Sequence, residues 1–162
     1  MTAFDDVLAA NARYTPADVP GRAARGLAVV TCMDARIDVL GMLGLQAGDA
    51  KVLRNAGARV TDGVLSALVL SAHLLGVNRV LVVAHTDCRM TRATDDELHA
   101  EMLERGFDTR SLDFHTIGDQ AETLARDVQK VRSSPYLPAE LTVAGGRYDV
   151  ATGRIDLIVP EG

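Results

Sequence analysis

The chain of 162 residues has no Trp, and aromatic residues make up only 4% of it. Stacking platforms of the kind that single-strand nucleic-acid binders use are therefore scarce. The core must rest on Val, Leu, Ala and Ile. An excess of positive charge is missing too: 17 Lys and Arg stand against 22 Asp and Glu, a net charge of −5. A surface of that sign suits neither nucleic acid nor an anionic membrane. No apolar run is long enough to read as a transmembrane helix. The opening MTAFDDVLAANARY carries two Asp and no basic n-region, so it does not read as a secretory signal. Cysteine is nearly absent, with two in the chain. The expectation is a soluble, cytoplasmic protein, where two cysteines serve as free thiols, metal ligands or catalytic groups rather than as a disulfide.

What is present fits one domain over residues 1–162, with an N-terminal helix and arm (1–26) and an α/β core (27–162). Phe4, Val7, Leu8 and Tyr14 are spaced for an amphipathic helix over 3–14. The stretch 15–26, with two Pro and two Gly, reads as an irregular arm that packs on the main body or on a neighbouring subunit. LAVVTC (27–32) is an apolar run bounded by Gly26, a strand covered on both faces. A short helix follows at 37–43, ended by Gly44, and then a second strand, AKVLRN (50–55). Thr61-Asp62 caps a helix to Leu75, with Gly76 as its stop. That helix is apolar on nearly all sides, so it is wholly buried or lies in a subunit interface. RVLVVAH (79–85) is a third strand. Thr94 and Glu97 make a capping box ahead of a helix at 95–105. Leu124, Val128 and Val131 mark an amphipathic helix at 118–132. Alternating apolar residues flank Ala151-Thr152-Gly153, the pattern of a β-hairpin. The sum is a central, mostly parallel β-sheet with an antiparallel hairpin at its edge and helices on both faces.

Both cysteines fall where such a sheet binds ligands, beyond the carboxyl ends of its strands. Cys32 ends the first strand, His85 ends the third, and Cys88 follows in the loop. The three converge if those strands are neighbours. Two thiolates and an imidazole suit zinc, and three protein ligands leave a fourth position open for catalysis. Asp34 and Arg36 stand beside Cys32, an acceptor-only carboxylate and a guanidinium able to bind it bidentately. Cys32 alone reads equally as a plain buried cysteine. A nucleophilic cysteine in a phosphate loop is disfavoured, because that loop needs glycines and an arginine near position 38, where Asp38 stands.

The pattern C-x-D-x-R (32–36), followed some fifty residues on by H-x-x-C (85–88), resembles the beta class of carbonic anhydrases. The short chain is similar to the compact bacterial branch of that class. VLRNAGARVTDGV (52–64) resembles its RNAG segment, and the likeness continues through TDDEL (94–98) to the closing hairpin. The resemblance implies one zinc ion per chain, held by Cys32, His85 and Cys88, with Asp34 and Arg36 as a dyad. In the open form so implied, Asp34 pairs with Arg36, and a zinc-bound hydroxide converts carbon dioxide to bicarbonate and a proton. In the closed form Asp34 itself ligates zinc. A homodimer or dimer of dimers is implied, with the active site near the interface. Relatives with similar ligands hydrolyse carbonyl sulfide or carbon disulfide, so that activity stays open. So does a non-catalytic zinc or redox module, although a purely structural site needs no dyad.

Two further residues are candidates for the substrate pocket. Gly57 offers a backbone N–H to substrate or to developing negative charge, or simply makes a tight turn. Arg89 stands where the family usually has Gly. It either rims the pocket and attracts bicarbonate or points outward, and it leaves that position without a residue suited to φ > 0. No counterpart appears of the glutamine that longer members place near substrate. His73 is expected in the core or an interface, His99 and His115 on the surface, and Met90 as packing near the site. Arg22 and Arg25 are expected to be solvated or paired with a partner's acids.

Overall fold

The computed structural model describes residues 2–162. Its strands are β1 (Leu27–Cys32), β2 (Ala50–Asn55), β3 (Arg79–His85), β4 (Thr142–Tyr148) and β5 (Ile155–Val159). Its helices are α1 (Asp5–Asn11), α2 (Val39–Met42), α3 (Asp62–Leu74), α4 (Asp95–Glu104) and α5 (Gln120–Arg132). The strands form one sheet in the order β2-β1-β3-β4-β5, parallel except for β5, which returns antiparallel to β4.

β1 lies inside the sheet, and Ala28, Val29 and Val30 have no exposed surface. Successive side chains of a strand point to opposite faces, so β1 feeds two layers. Ala28 and Val30 join Val80, Val82 and Val143 against α3 (Val64, Leu68) and α5 (Leu124, Val128, Val131). Val29 and Val83 belong to the other layer, with Ile37, Val39 of α2 and Tyr148. From β1 the chain goes to β2 on one side and, by way of α3, to β3 on the other. The switch point therefore falls between β1 and β3, and their carboxyl ends are neighbours.

The helix caps follow the local chemistry. Thr61 accepts the Val64 N–H at the start of α3, and Gly76, with φ +77°, follows its end. The Thr94–Glu97 capping box opens α4. α5 starts at 120 rather than 118 because Asp119 is its cap, and α2 starts at 39 because Asp38 is its cap.

Two expectations change. α1 spans 5–11 rather than 3–14 and buries none of its residues; Phe4, Val7, Leu8 and Tyr14 are each more than half exposed. The chain gives this short helix no apolar surface to lie on. α3 is not wholly buried, which removes one of its two expected settings and leaves the subunit interface: Val64, Leu68 and Ser71 face inward, while Leu70 and Leu74 are exposed. The arm is irregular, but its arginines are tied within the chain. Arg22 donates to the Leu74 carbonyl at 3.5 Å and Arg25 lies 3.5 Å from Asp49. Among the described residues, no helix is long and apolar enough to cross a membrane.

Candidate metal centre

Cys32 closes β1, His85 closes β3, and Cys88 follows the turn Thr86-Asp87. The fold brings one ligand atom from each of the three within 4.8 Å of one another. All three residues are buried. His85 Nδ1 lies 2.8 Å from the Thr86 carbonyl, which can only accept, so Nδ1 carries the proton. Nε2 is then left with its lone pair, buried and without a hydrogen-bond partner. Such an orphan requires an explanation, and the two sulfurs supply one. Two thiolates and an imidazole make the donor set of a zinc site with one vertex open. The Thr86 contact orients the ring as outer partners of metal-binding histidines do.

The Gly57 N–H donates to Cys32 Sγ at 3.3 Å. Gly57 has φ +81°, and a Cβ there would meet Ile117 Cδ1 at 2.9 Å and Met90 at 3.3 Å. Only glycine fits, and its amide faces the metal-side sulfur. The neighbouring Cys88 thiol above all, helped by the nearby His85 ring and the Gly57 N–H, draws the Cys32 thiol down; the same pairing pushes Cys88 up. Burial works against a charged His85, but the neighbouring Cys32 sulfur outweighs it and raises its pKa.

Asp34 and Arg36 form a fork in the turn after β1. Arg36 Nε donates to Asp34 Oδ1 at 2.9 Å and Nη2 to Oδ2 at 2.7 Å, while the Arg36 backbone N–H also reaches Oδ1 at 2.9 Å. This fork holds the Asp34 carboxyl well below the usual carboxylate range and raises Arg36. Asp34 Oδ2 lies 4.0 Å from His85 Nε2, so a carboxylate oxygen borders the ligand cluster.

Three residues not picked out from the sequence complete the site. Arg54 of β2 donates to the carbonyls of Cys32 (2.9 Å), Asp34 (2.7 Å) and Ile37 (3.2 Å), tying down the turn that carries the fork. Asp87 accepts from Arg36 Nη1 at 2.8 Å. Gln120 donates to the His85 carbonyl at 2.8 Å. Arg54 and Asp87 lie inside the RNAG and H-x-x-C segments, but their partners are backbone carbonyls or residues far along the chain.

Arg89 points away from the cluster: its guanidinium lies 3.5 Å from Glu101 on α4, and its side chain is 60% exposed. The left-handed residue of this loop is Asp87, at φ +57°, and Arg89 begins a 3-10 turn, so the loop closes without glycine at 89. Met90 packs beside Gly57. The other histidines lie elsewhere. His73 is exposed and bonds the Tyr136 carbonyl at 2.9 Å. His99 is half-buried, 5.0 Å between ring centroids from Phe114. His115, also half-buried, lies 3.0 Å from Asp113.

An open α/β sheet with a Cys-His-Cys cluster at its switch point and a carboxylate–guanidinium fork beside it has the layout of a metal-dependent enzyme. The comparisons narrow that class. A profile of the carbonic anhydrase family matches residues 27–155. The chain is 34% identical to Beta-carbonic anhydrase 1 of Mycobacterium tuberculosis, over 99% of this chain and 100% of that one. The crystal structure of a carbonic anhydrase from Streptococcus mutans aligns with a TM-score of 0.91 and 37% identity over 98% of each chain. A carbon disulfide hydrolase of Acidithiobacillus thiooxidans is 30% identical over 81% of this chain and 76% of the relative. The chain belongs to the beta-carbonic anhydrase family.

Proposed function

We propose that this chain catalyses the reversible hydration of carbon dioxide to bicarbonate and a proton, with one Zn²⁺ held by Cys32, His85 and Cys88. The observation that carries the reading is the buried, unpartnered His85 Nε2, grouped with two sulfurs and 4.0 Å from the forked Asp34. Zinc, when bound, supplies a Lewis acid beside which water ionises near neutral pH. The remaining work falls to the chain. Ionised Asp34 accepts a hydrogen bond from the attacking oxygen and orients it. Arg36 keeps that carboxylate charged and turned toward itself rather than toward the ligand cluster. Gly57 acts through Cys32, whose sulfur its amide steadies. Arg89 contributes charge near the loop without entering the cluster.

The carbon disulfide hydrolase relative supports a second reading on the same residues: hydrolysis of carbon disulfide or carbonyl sulfide, linear molecules like carbon dioxide. Metal analysis and stopped-flow hydration on one preparation, followed by sulfide release from both sulfur substrates, separate the two. Hydration is expected in protein holding one zinc per chain. Sulfide release without hydration selects the second reading, and no turnover of any substrate selects a non-catalytic module. We also propose a homodimer or dimer of dimers, supported by the uncovered apolar faces of α1 and α3. A cytoplasmic location is supported by the two free thiols.

A further inference from the structure

Arg36 serves two carboxylates. Asp34 takes Nε and Nη2. Asp87, from the loop between His85 and Cys88, takes Nη1 at 2.8 Å, and its backbone carbonyl accepts from Nη2 at 3.2 Å. The other Asp87 oxygen is bonded by Arg92. Charges of alternating sign thus run outward from the ligand cluster: Asp34, Arg36, Asp87, Arg92.

We propose that Asp87 and Arg92 are positioning residues that set how firmly Arg36 holds Asp34. A guanidinium already compensated by one carboxylate attracts a second less strongly. Asp87 therefore loosens the grip of Arg36 on Asp34. Arg92 compensates Asp87 in turn and tightens that grip. Neutralising Asp87 and neutralising Arg92 consequently act in opposite directions. Both effects are small, because Arg36, Asp87 and Arg92 have side chains 45%, 48% and 57% exposed; exposed ion pairs are worth no more than a few-fold. The functional meaning rests on the proposed hydration reaction, in which Asp34 acts while Arg36 holds it.

The Arg36 Nε–H bonds Asp34 and not Asp87, so its hydrogen-exchange rate reports the Asp34 grip. It is measured by ¹⁵N NMR on the zinc-loaded protein. Asp87→Asn removes the charge but keeps an acceptor, and Asn tolerates the left-handed backbone at this position as well as Asp does. Exchange is expected to slow by roughly two- to fivefold in Asp87→Asn and to speed up by a similar factor in Arg92→Gln, the range of an exposed ion pair. If Asp87 merely braced the loop, its loss would speed exchange. That result, no change in either variant, or shifts of the same sign in both would overturn the proposal. Wild-type protein that hydrates no carbon dioxide while the two rates move apart as expected refutes the hydration reading and leaves the exchange result standing.

Discussion

His85 shows how much one atom decides at the residue scale. Its Nδ1 is committed to Thr86, so its Nε2 is the atom that faces the two sulfurs. Arg36 is committed in the same way, by the fork that turns Asp34. Arg36→Ala should retain zinc, because none of the three proposed ligands is touched, and should lose most hydration activity. Full activity at normal zinc content would refute a dyad of Asp34 and Arg36. Gly57→Ala tests the sulfur-facing amide. The new Cβ meets Ile117 at 2.9 Å on a backbone at φ +81°, and left-handed strain with crowding costs about 1–3 kcal/mol. A lower denaturant midpoint together with weaker zinc retention is expected. An unchanged midpoint would show that the turn accepts a side chain.

At the scale of elements, the loop after β3 is braced from α4. Asp95 accepts from the N–H groups of Phe114 (2.8 Å) and Thr116 (2.9 Å) and from the Thr116 hydroxyl. Ile117 follows, donating its N–H to the Met90 carbonyl at 2.8 Å and packing its side chain close to Gly57. The bonds from Thr116, first through its hydroxyl, hold the Asp95 carboxyl well below its ordinary value. A depressed pKa contributes stability above the unfolded value, about 3.9, and that contribution is lost as pH falls through the folded one. Asp95→Asn should therefore cost about 1–2 kcal/mol at pH 7. The gap between variant and wild type should narrow as pH falls below about 4, because the wild type loses this contribution there. Urea unfolding at both pH values measures it, and a gap independent of pH would contradict the assignment.

For the whole molecule, the uncovered surface matters most. α1 buries nothing, and α3 exposes Leu70 and Leu74. Beside them a groove of about 620 Å³ is lined by Leu65, Val69, Leu70 and Tyr136. Contiguous apolar surface of this kind marks an association site. Light scattering should give at least twice the 17.3 kDa chain mass, and Leu70→Asp combined with Leu74→Asp should shift the species toward monomer. A wild-type protein that stays monomeric at micromolar concentration would end the homodimer reading.

Sequence by itself marked most of the elements and the proposed donor set. Apolar runs bounded by glycine marked β1 and β3, caps at Thr61 and Thr94 marked two helices, and the scarcity of cysteine drew attention to Cys32 and Cys88. These signals are local, carried by neighbouring side chains and backbone preferences. Tertiary structure alone decided that β1 and β3 are adjacent, which groups ligands separated by some fifty residues. It alone assigned Arg54 to three carbonyls, because backbone acceptors leave no mark on residue identity, and Asp87 to Arg36, because the two lie some fifty residues apart. It also turned Arg89 toward Glu101 and placed the left-handed residue at Asp87. The direction of a side chain and the sign of φ in a loop depend on what packs around them, and the linear order of residues does not carry that information.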